Sequence, residues 1–325
     1  GTAEPLAPPL GLAPVELPPS ARIGFYSITS GAGAPWQSGP IDFLEYTADS
    51  LTDLTTESLQ PLDVLFLDNP SNSNYSGGDG EFLANLNNVG TWVADGGVLV
   101  FHDRFVAEAE AVLPGGGSFD IIRDFSDAAD INILDNSTLV TDGPGGILTD
   151  ESLDGGNFSS HGFSVAGSLP GSGAFILTRG DPDEIVTFSY CYGMGGVVYS
   201  SIPLDFYLRG GGPQPVQSNM AEIYSPNVLA YGAKGFCTLP VDIDVKPGTR
   251  TNPINPRSRG VVPVALLGSE ELEVSTVDRR TLTLEGAPLA HSGGHTEDVN
   301  GDGYPDLMGH FRQQDIGLGL GATQV

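Results

Sequence analysis

The amino-acid sequence predicts an α/β domain followed by a smaller all-β, sandwich-like domain. Three observations carry that expectation. Between residues 21 and 101, buried-strand patterns alternate with a stretch of helical period, the rhythm of a parallel sheet with helices on its faces. Glycine (45 residues) and proline (25) are frequent and charged residues are few (17%), so short strands and turns are expected rather than long helices. From Val241 onward the pattern changes to short alternating segments punctuated by Pro and Gly, as in a β-sandwich. The 325 residues suit two domains of ordinary size. We divide them into an extended arm (1–20), the α/β domain (21–238) and a β module (239–325).

The arm contains Pro5, Pro8, Pro9, Pro14, Pro18 and Pro19, a density that prevents a helix and favours a polyproline-like strand. It is either a disordered leader or an arm that lies on a neighbouring molecule. Residues 23–28 and 62–68 read as buried strands. Residues 79–95 place Phe82, Leu83, Leu86, Val89, Trp92 and Val93 near a 3.6 period, a helix with Asp79 as N-cap and Gly96-Gly97 as its stop. A third buried strand follows at 98–101, with further strands at 175–177, 185–188 and 196–201 and a last helix over 220–231. The span 114–174, rich in Gly, Asp, Ser and Asn, reads as loops and irregular short strands.

Charge excludes whole classes of partner. Forty-one acidic residues against 13 basic ones give a formal charge of −28, and only Lys234 and Lys246 are lysines. Such a surface repels nucleic acid and anionic membranes and attracts cations, and bound calcium or salt is expected to stabilise it. Adaptation to a saline habitat is a contributing explanation. No stretch approaches the 18 consecutive apolar residues of a membrane span. The start at Gly1-Thr2-Ala3 without Met fits a mature secreted form or an expressed fragment. Cys191 and Cys237 lie outside any CxxC pattern and form either one disulfide in an oxidising compartment or two separate thiols. Asn74, Asn136 and Asn157 stand in glycosylation sequons, a weak signal.

The most specific motif is Asp298-Val299-Asn300-Gly301-Asp302-Gly303-Tyr304-Pro305-Asp306. It sets oxygen ligands at alternate positions around a glycine bend. A hard cation such as Ca2+ takes six to eight oxygens at roughly 2.3–2.6 Å. The expected ligands are the side chains of Asp298, Asn300, Asp302 and Asp306 and the carbonyl of Tyr304, with Gly303 turning the chain. No Glu stands at the twelfth position and no helical pattern flanks the loop, so it is not an EF-hand. The alternative is an Asp/Asn/Gly turn without metal. His291 and His295 have metal-pair spacing, but Ser292-Gly293-Gly294 between them argues against one shared helical face.

Catalytic patterns are sparse. His102, Asp103 and His161 make an acid/base site if the loop after strand 98–101 meets the 159–162 loop, since ligands of open parallel sheets bind at strand C-terminal ends; otherwise they are structural hydrogen bonders. A triad through Ser159 or Ser160 lacks the G-x-S-x-G context. The run 76–80 has no following G-K-[ST], so it is no phosphate loop. Arg250, Arg257, Arg259, Arg279, Arg280 and Arg312 concentrate in the β module. They are available to meet the acidic first domain of another molecule, or to pair within their own module.

Three segments carry a family resemblance: Gly96-Gly97-Val98-Leu99-Val100-Phe101-His102, Ser159-Ser160-His161-Gly162, and Gly195-Gly196-Val197-Val198-Tyr199-Ser200-Ser201-Ile202-Pro203-Leu204-Asp205. Over about 200 residues the chain resembles the class I glutamine-amidotransferase-like fold, in its non-catalytic, ThuA-like and secreted branches. The resemblance implies a flavodoxin-like or amidotransferase-like parallel sheet. Catalytic members carry a Cys on the strand-to-helix turn, where this chain has His102-Asp103, so that chemistry is not expected. Residues 241–325 resemble a small repeat-like β module of bacterial secreted proteins, with a dockerin-like D-x-N-x-D-G loop, implying extracellular attachment and calcium. The final residues 319–325 lack the closing strands of such a module. That leaves an open edge for another chain, or reflects a clipped end. The expected protein is therefore secreted or on the cell surface of a prokaryote, calcium-stabilised, structural and self-assembling, with filaments a specific form. The alternatives are a binding protein for carbohydrate using Trp36, Tyr75 and Tyr207, and a hydrolase using His102, Asp103 and His161.

Overall fold

The computed structural model describes residues 17–317 apart from 78–79, 157, 172, 238–240, 250–253, 256–257, 270–271, 278 and 292–293. Most of the Pro-rich arm and the C-terminal run from 318 lie outside the described residues. The chain separates into two compact units, Gly1–Thr238 and Leu239–Val325.

The first unit begins β1 (Arg22–Ser27), α1 (Pro35–Phe43), β2 (Thr47–Ser50), α2 (Thr56–Leu59), β3 (Val64–Asn69), α3 (Glu81–Ala84), α4 (Leu86–Ala94) and β4 (Val98–Asp103). Short strands follow: β5 (Ile121–Arg123), β6 (Asn132–Ile133), β7 (Asp142–Gly143), β8 (Gly146–Ile147) and β9 (Gly162–Val165). Then come β10 (Phe175–Thr178), β11 (Glu184–Tyr192), β12 (Gly195–Ser200), α5 (Leu204–Leu208), α6 (Val216–Ser218) and α7 (Ser225–Lys234). The main sheet runs β2-β1-β3-β4-β12-β11-β10-β6. The first five strands are parallel. β12, β11, β10 and β6 pair antiparallel. The expected parallel sheet is thus mixed, because β11 and β12 are joined by a tight turn at Gly193 (φ 62) instead of a helical crossover.

Every residue of β3 and β4 is buried, which explains their unbroken apolar runs. Alternate side chains supply two cores. Val64, Phe66, Val98 and Val100 pack with Ile41 of α1 and Val228 and Leu229 of α7. Leu65, Leu67, Leu99 and Phe101 pack with Val89 and Val93 of α4. Gly195 is fixed by close approach: a Cβ there would stand 2.1 Å from the Val93 carbonyl oxygen and 2.2 Å from that of Gly97.

Two helices differ from expectation. The stretch 79–95 is broken at Asn85 (φ −114, ψ 16), whose amide donates back to the Glu81 carbonyl (3.0 Å) and carboxylate (2.7 Å). Such local side-chain bonding competes with the helix ladder. Asp79 lies outside the described residues. The last helix is longer than 220–231, running from Val216 to Lys234 through a wide π turn at Asn219–Tyr224. Pro226 has no N–H to give the Glu222 carbonyl, and the wider turn accommodates that gap. Cys191 at the end of β11 and Cys237 beyond α7 are joined in a disulfide, with Cα atoms 5.5 Å apart.

The second unit contains β13 (Ile243–Val245), β14 (Val261–Leu266), β15 (Thr283–Leu284), β16 (Ala287–Pro288), β17 (His295–Glu297) and β18 (Asp306–Arg312). Its antiparallel sheet runs β13-β14-β18-β17, and β15 pairs with β16 in a separate ribbon. Val262, Val264, Leu284, Ala287 and Phe311 form its core. Where a sandwich-like fold lacking its closing strands was expected, the described residues hold one sheet and a ribbon.

Candidate functional site: an aromatic and arginine cleft at the strand ends

The C-terminal ends of β3, β4 and β12 carry Asp68-Asn69, His102-Asp103 and Ser200. Beyond them lies a cavity of about 550 Å³. Its apolar walls are Phe125, Phe158, Phe206 and Pro203, and its polar groups are Arg104, Arg123, His161 and Asn72. Phe125 (41%) and Phe158 (47%) remain substantially exposed and meet edge to face at 5.2 Å.

His102 and Asp103 do not share a site, because successive strand residues point to opposite faces. His102 is fully buried on the α7 face, with Nε2 3.0 Å from the Tyr224 hydroxyl and Nδ1 without a hydrogen-bond partner among the described residues. Burial pushes its pKa down to about 3. Asp103, also buried, points to the α4 face. It accepts hydrogen bonds from Asn69 Nδ2 (2.9 Å), the hydroxyls of Tyr75 (2.6 Å) and Tyr199 (3.1 Å), and the N–H groups of Phe105 and Val106 (2.9 Å each). Burial raises its pKa against the lowering effect of those donors. Its role is to pin the turn after β4, which includes Val106 at φ 63. That turn presents Arg104.

His161 alone of the three faces the cleft. Its Nδ1 lies 2.8 Å from the Arg104 carbonyl. The carbonyl can only accept, so Nδ1 carries the proton and Nε2 keeps its lone pair. Burial first, and the positive charges of Arg104, Arg123 and Arg179, push its pKa down to about 4 against the raising effect of that bond. The ring is therefore neutral at pH 7. Ser159 donates to the Leu153 carbonyl (2.7 Å) and Ser160 accepts from Arg179 (3.0 Å), so neither is poised as a nucleophile.

The arginines were missed by sequence reasoning. Arg104 forms a two-pronged pair with Asp205 of α5, at 3.0 and 2.7 Å. Asp68 lies nearby, accepting from the Trp36 indole at 3.1 Å. Burial, followed by the charge of Asp205, holds its carboxyl well above the usual range, and burial also raises Asp205. Arg123 lies across Phe105 and Phe125, at 5.6 and 5.0 Å, and its Nη1 donates to the carbonyls of Arg104 and Phe105. Only 13 basic residues occur in the chain, so each arginine near a strand end was a readable signal. Of the aromatics singled out from sequence, Tyr75 and Tyr207 are buried and Trp36 is half-buried under Arg209 (4.9 Å), and none lines the cleft.

The acidic loop joins β17 to β18. Asp298 accepts from the N–H groups of Gly301 (2.7 Å) and Gly303 (3.0 Å), Asn300 from that of Asp302 (3.0 Å), and Asp302 from that of Tyr304 (2.9 Å). Gly301 (φ 80) and Gly303 (φ 95) take the left-handed conformation the turn requires. Asp306 is buried, and its two oxygens accept from Gly268 and Val299 (2.8 Å each). Among the described residues, no group of three or more His, Cys, Asp or Glu side chains converges as a metal centre. His295 instead faces Glu297 at 3.5 Å, both exposed. Asn74 and Asn136 are exposed; Asn157 lies outside the described residues.

No family model matches the chain, and no curated protein matches it. Solved structures similar to it include a cytoplasmic protein of Salmonella typhimurium (11% identity, 65% of this chain and 97% of that one, TM-score 0.43). A putative ThuA-like protein of Bacteroides uniformis is similar at 9% identity, over 67% of this chain and 93% of that one, with TM-score 0.36. An exo-β-1,4-mannosidase of an Opitutaceae bacterium is similar at 11% identity, over 68% of this chain and 37% of that one, with TM-score 0.39. The topology itself defines a mixed α/β domain with a parallel half. No helix among the described residues is long and apolar enough to cross a membrane.

Proposed function

We propose that this chain is a secreted, calcium-stabilised binding protein whose strand-end cleft takes a ligand of carbohydrate size. The observation that carries this reading is the cavity of about 550 Å³, walled by half-exposed phenylalanines and edged by a few fixed polar groups. Small-ligand sites have that composition, and contiguous exposed apolar surface marks binding grooves. Calorimetric titration with a panel of mono- and oligosaccharides tests it. Saturable binding that falls about tenfold or more on Phe158→Ala is expected; heat-silent titrations across the panel would sink it.

The Cys191–Cys237 disulfide supports an oxidising, extracellular setting. The acidic loop supports calcium through its chemistry: Asp298, Asn300, Asp302 and Asp306 and the Tyr304 carbonyl are hard oxygen donors about two left-handed glycines. Calcium there would brace the turn that joins the paired strands β17 and β18. Titrating metal-stripped protein is expected to give heat and a higher melting temperature at millimolar calcium, both lost in Asp298→Ala/Asp302→Ala. A second reading, self-assembly, is favoured by β13 and β17, which pair on only one side among the described residues. Electron micrographs with and without chelator separate it, dispersed particles in both counting against it.

A further inference from the structure

We infer that the ligand of the cleft is anionic, a sugar ring bearing a carboxylate or sulfate, and that Arg123 takes its charge. This rests on the binding role proposed for the cleft and names the class of ligand. The chain carries 41 acidic residues against 13 basic ones, yet among the described residues the cavity wall holds two arginines and no carboxylate. Arg104 is already matched by Asp205 through both prongs of its fork. Arg123 is not matched: its Nη1 serves two backbone carbonyls, and among the described residues it has no acidic partner. Its contacts with the Phe105 and Phe125 rings and its bonds to two carbonyls restrict the guanidinium, so less side-chain freedom is lost when an anion binds. A planar guanidinium of this kind binds a carboxylate or sulfate through paired, charge-assisted hydrogen bonds.

The remaining walls fit the rest of such a molecule. Phe158 and Phe206 offer apolar faces for the C–H face of a ring. The lone pair on His161 Nε2 accepts a hydrogen bond from a hydroxyl, and the neutral imidazole brings no competing charge. Burial chiefly, with the arginine charges adding to it, keeps His161 neutral, and an anion in the cleft would feel those same arginine charges. His161 thus reads the hydroxyl, Arg123 the charge and the phenylalanines the ring.

The test is calorimetric titration of the full chain with glucuronate, galacturonate and their oligomers, with the corresponding neutral sugars, and with sulfated sugars. Acidic sugars are expected to bind about tenfold or more tightly than neutral ones. The carboxylate and sulfate arms identify which anion is preferred. Arg123→Gln is expected to erase the acidic-over-neutral ratio, and Arg123→Lys to keep part of it, in variants that melt as the parent does. Equal or tighter binding of neutral sugars by the parent overturns the inference and leaves the cleft's binding role standing. An unchanged ratio in Arg123→Gln overturns the assignment to Arg123. Absence of binding by every sugar overturns both readings. The parent ligand panel decides the anion question even if a variant fails to fold.

Discussion

Asp103 gathers five donors in the core, and its carboxylate does structural work that its position beside His102 conceals in the sequence. Replacing it with Ala strands two tyrosine hydroxyls, one amide and two backbone N–H groups in a buried site. Each unsatisfied group costs about 1–3 kcal/mol, partly relieved by relaxation, so Asp103→Ala is expected to lose about 3–5 kcal/mol in urea unfolding. The histidines make a different prediction. His102 and His161 have folded pKa values depressed to about 3 and about 4, below the ordinary 6.5. Between 6.5 and those values the unfolded chain binds more protons, so stability falls as pH falls through that window. Asp68, Asp103 and Asp205 act in the opposite sense: their raised values stabilise the protein at low pH, and that contribution is lost as pH rises through them. Comparing His161→Gln with the parent isolates one histidine, and its stability is expected to decline less steeply between pH 6.5 and about 4. An identical slope would show that His161 is protonated in the fold.

At the scale of elements, β12 is held on both sides. It pairs parallel to β4 on one side and antiparallel to β11 on the other, and it starts at Gly195, where the end of α4 and the Gly97 turn press on the backbone. A Cβ there meets two carbonyl oxygens that have no rotamer to move through. Gly195→Ala is therefore expected to destabilise by about 1–3 kcal/mol or more, read from the urea midpoint at unchanged slope. Sequence reasoning placed β1, β3, β4 and β12 because strands buried on both faces are continuous apolar runs. It missed the break at Asn85 because Phe82, Val89 and Val93 keep helical spacing across it. The break lies in the backbone of Asn85 itself (φ −114, ψ 16), whose side-chain amide bonds back to Glu81. The antiparallel half of the sheet was hidden for a similar reason: an apolar run does not state the direction of its neighbour.

At the scale of the molecule, a charge of −28 is spread over two units, each with its own core. Self-repulsion of that surface opposes the folded state and is screened by salt, with a Debye length falling from about 10 Å at 0.1 M to about 3 Å at 1 M. The melting temperature of metal-stripped protein is expected to rise between 0.1 and 1 M sodium chloride. A flat response would show that the carboxylates are already compensated in the fold. Against this background the cleft wall differs: among the described residues it holds Arg104 and Arg123 and no carboxylate.

The sequence by itself determined the positions of the longer buried strands, the change of pattern near 238, and the oxygen-rich turn at Asp298–Asp306, because periodicity, Pro/Gly punctuation and alternate ligands are local properties of the chain. Tertiary structure alone decided the cleft. It sent His102 and Asp103 to opposite faces of one strand. It brought Arg104, Arg123, His161 and three phenylalanines together from segments up to about a hundred residues apart. The physical reason is that a binding site is a coincidence in space, made by sheet pairing and loop packing, and nothing in the spacing of those residues along the chain records it.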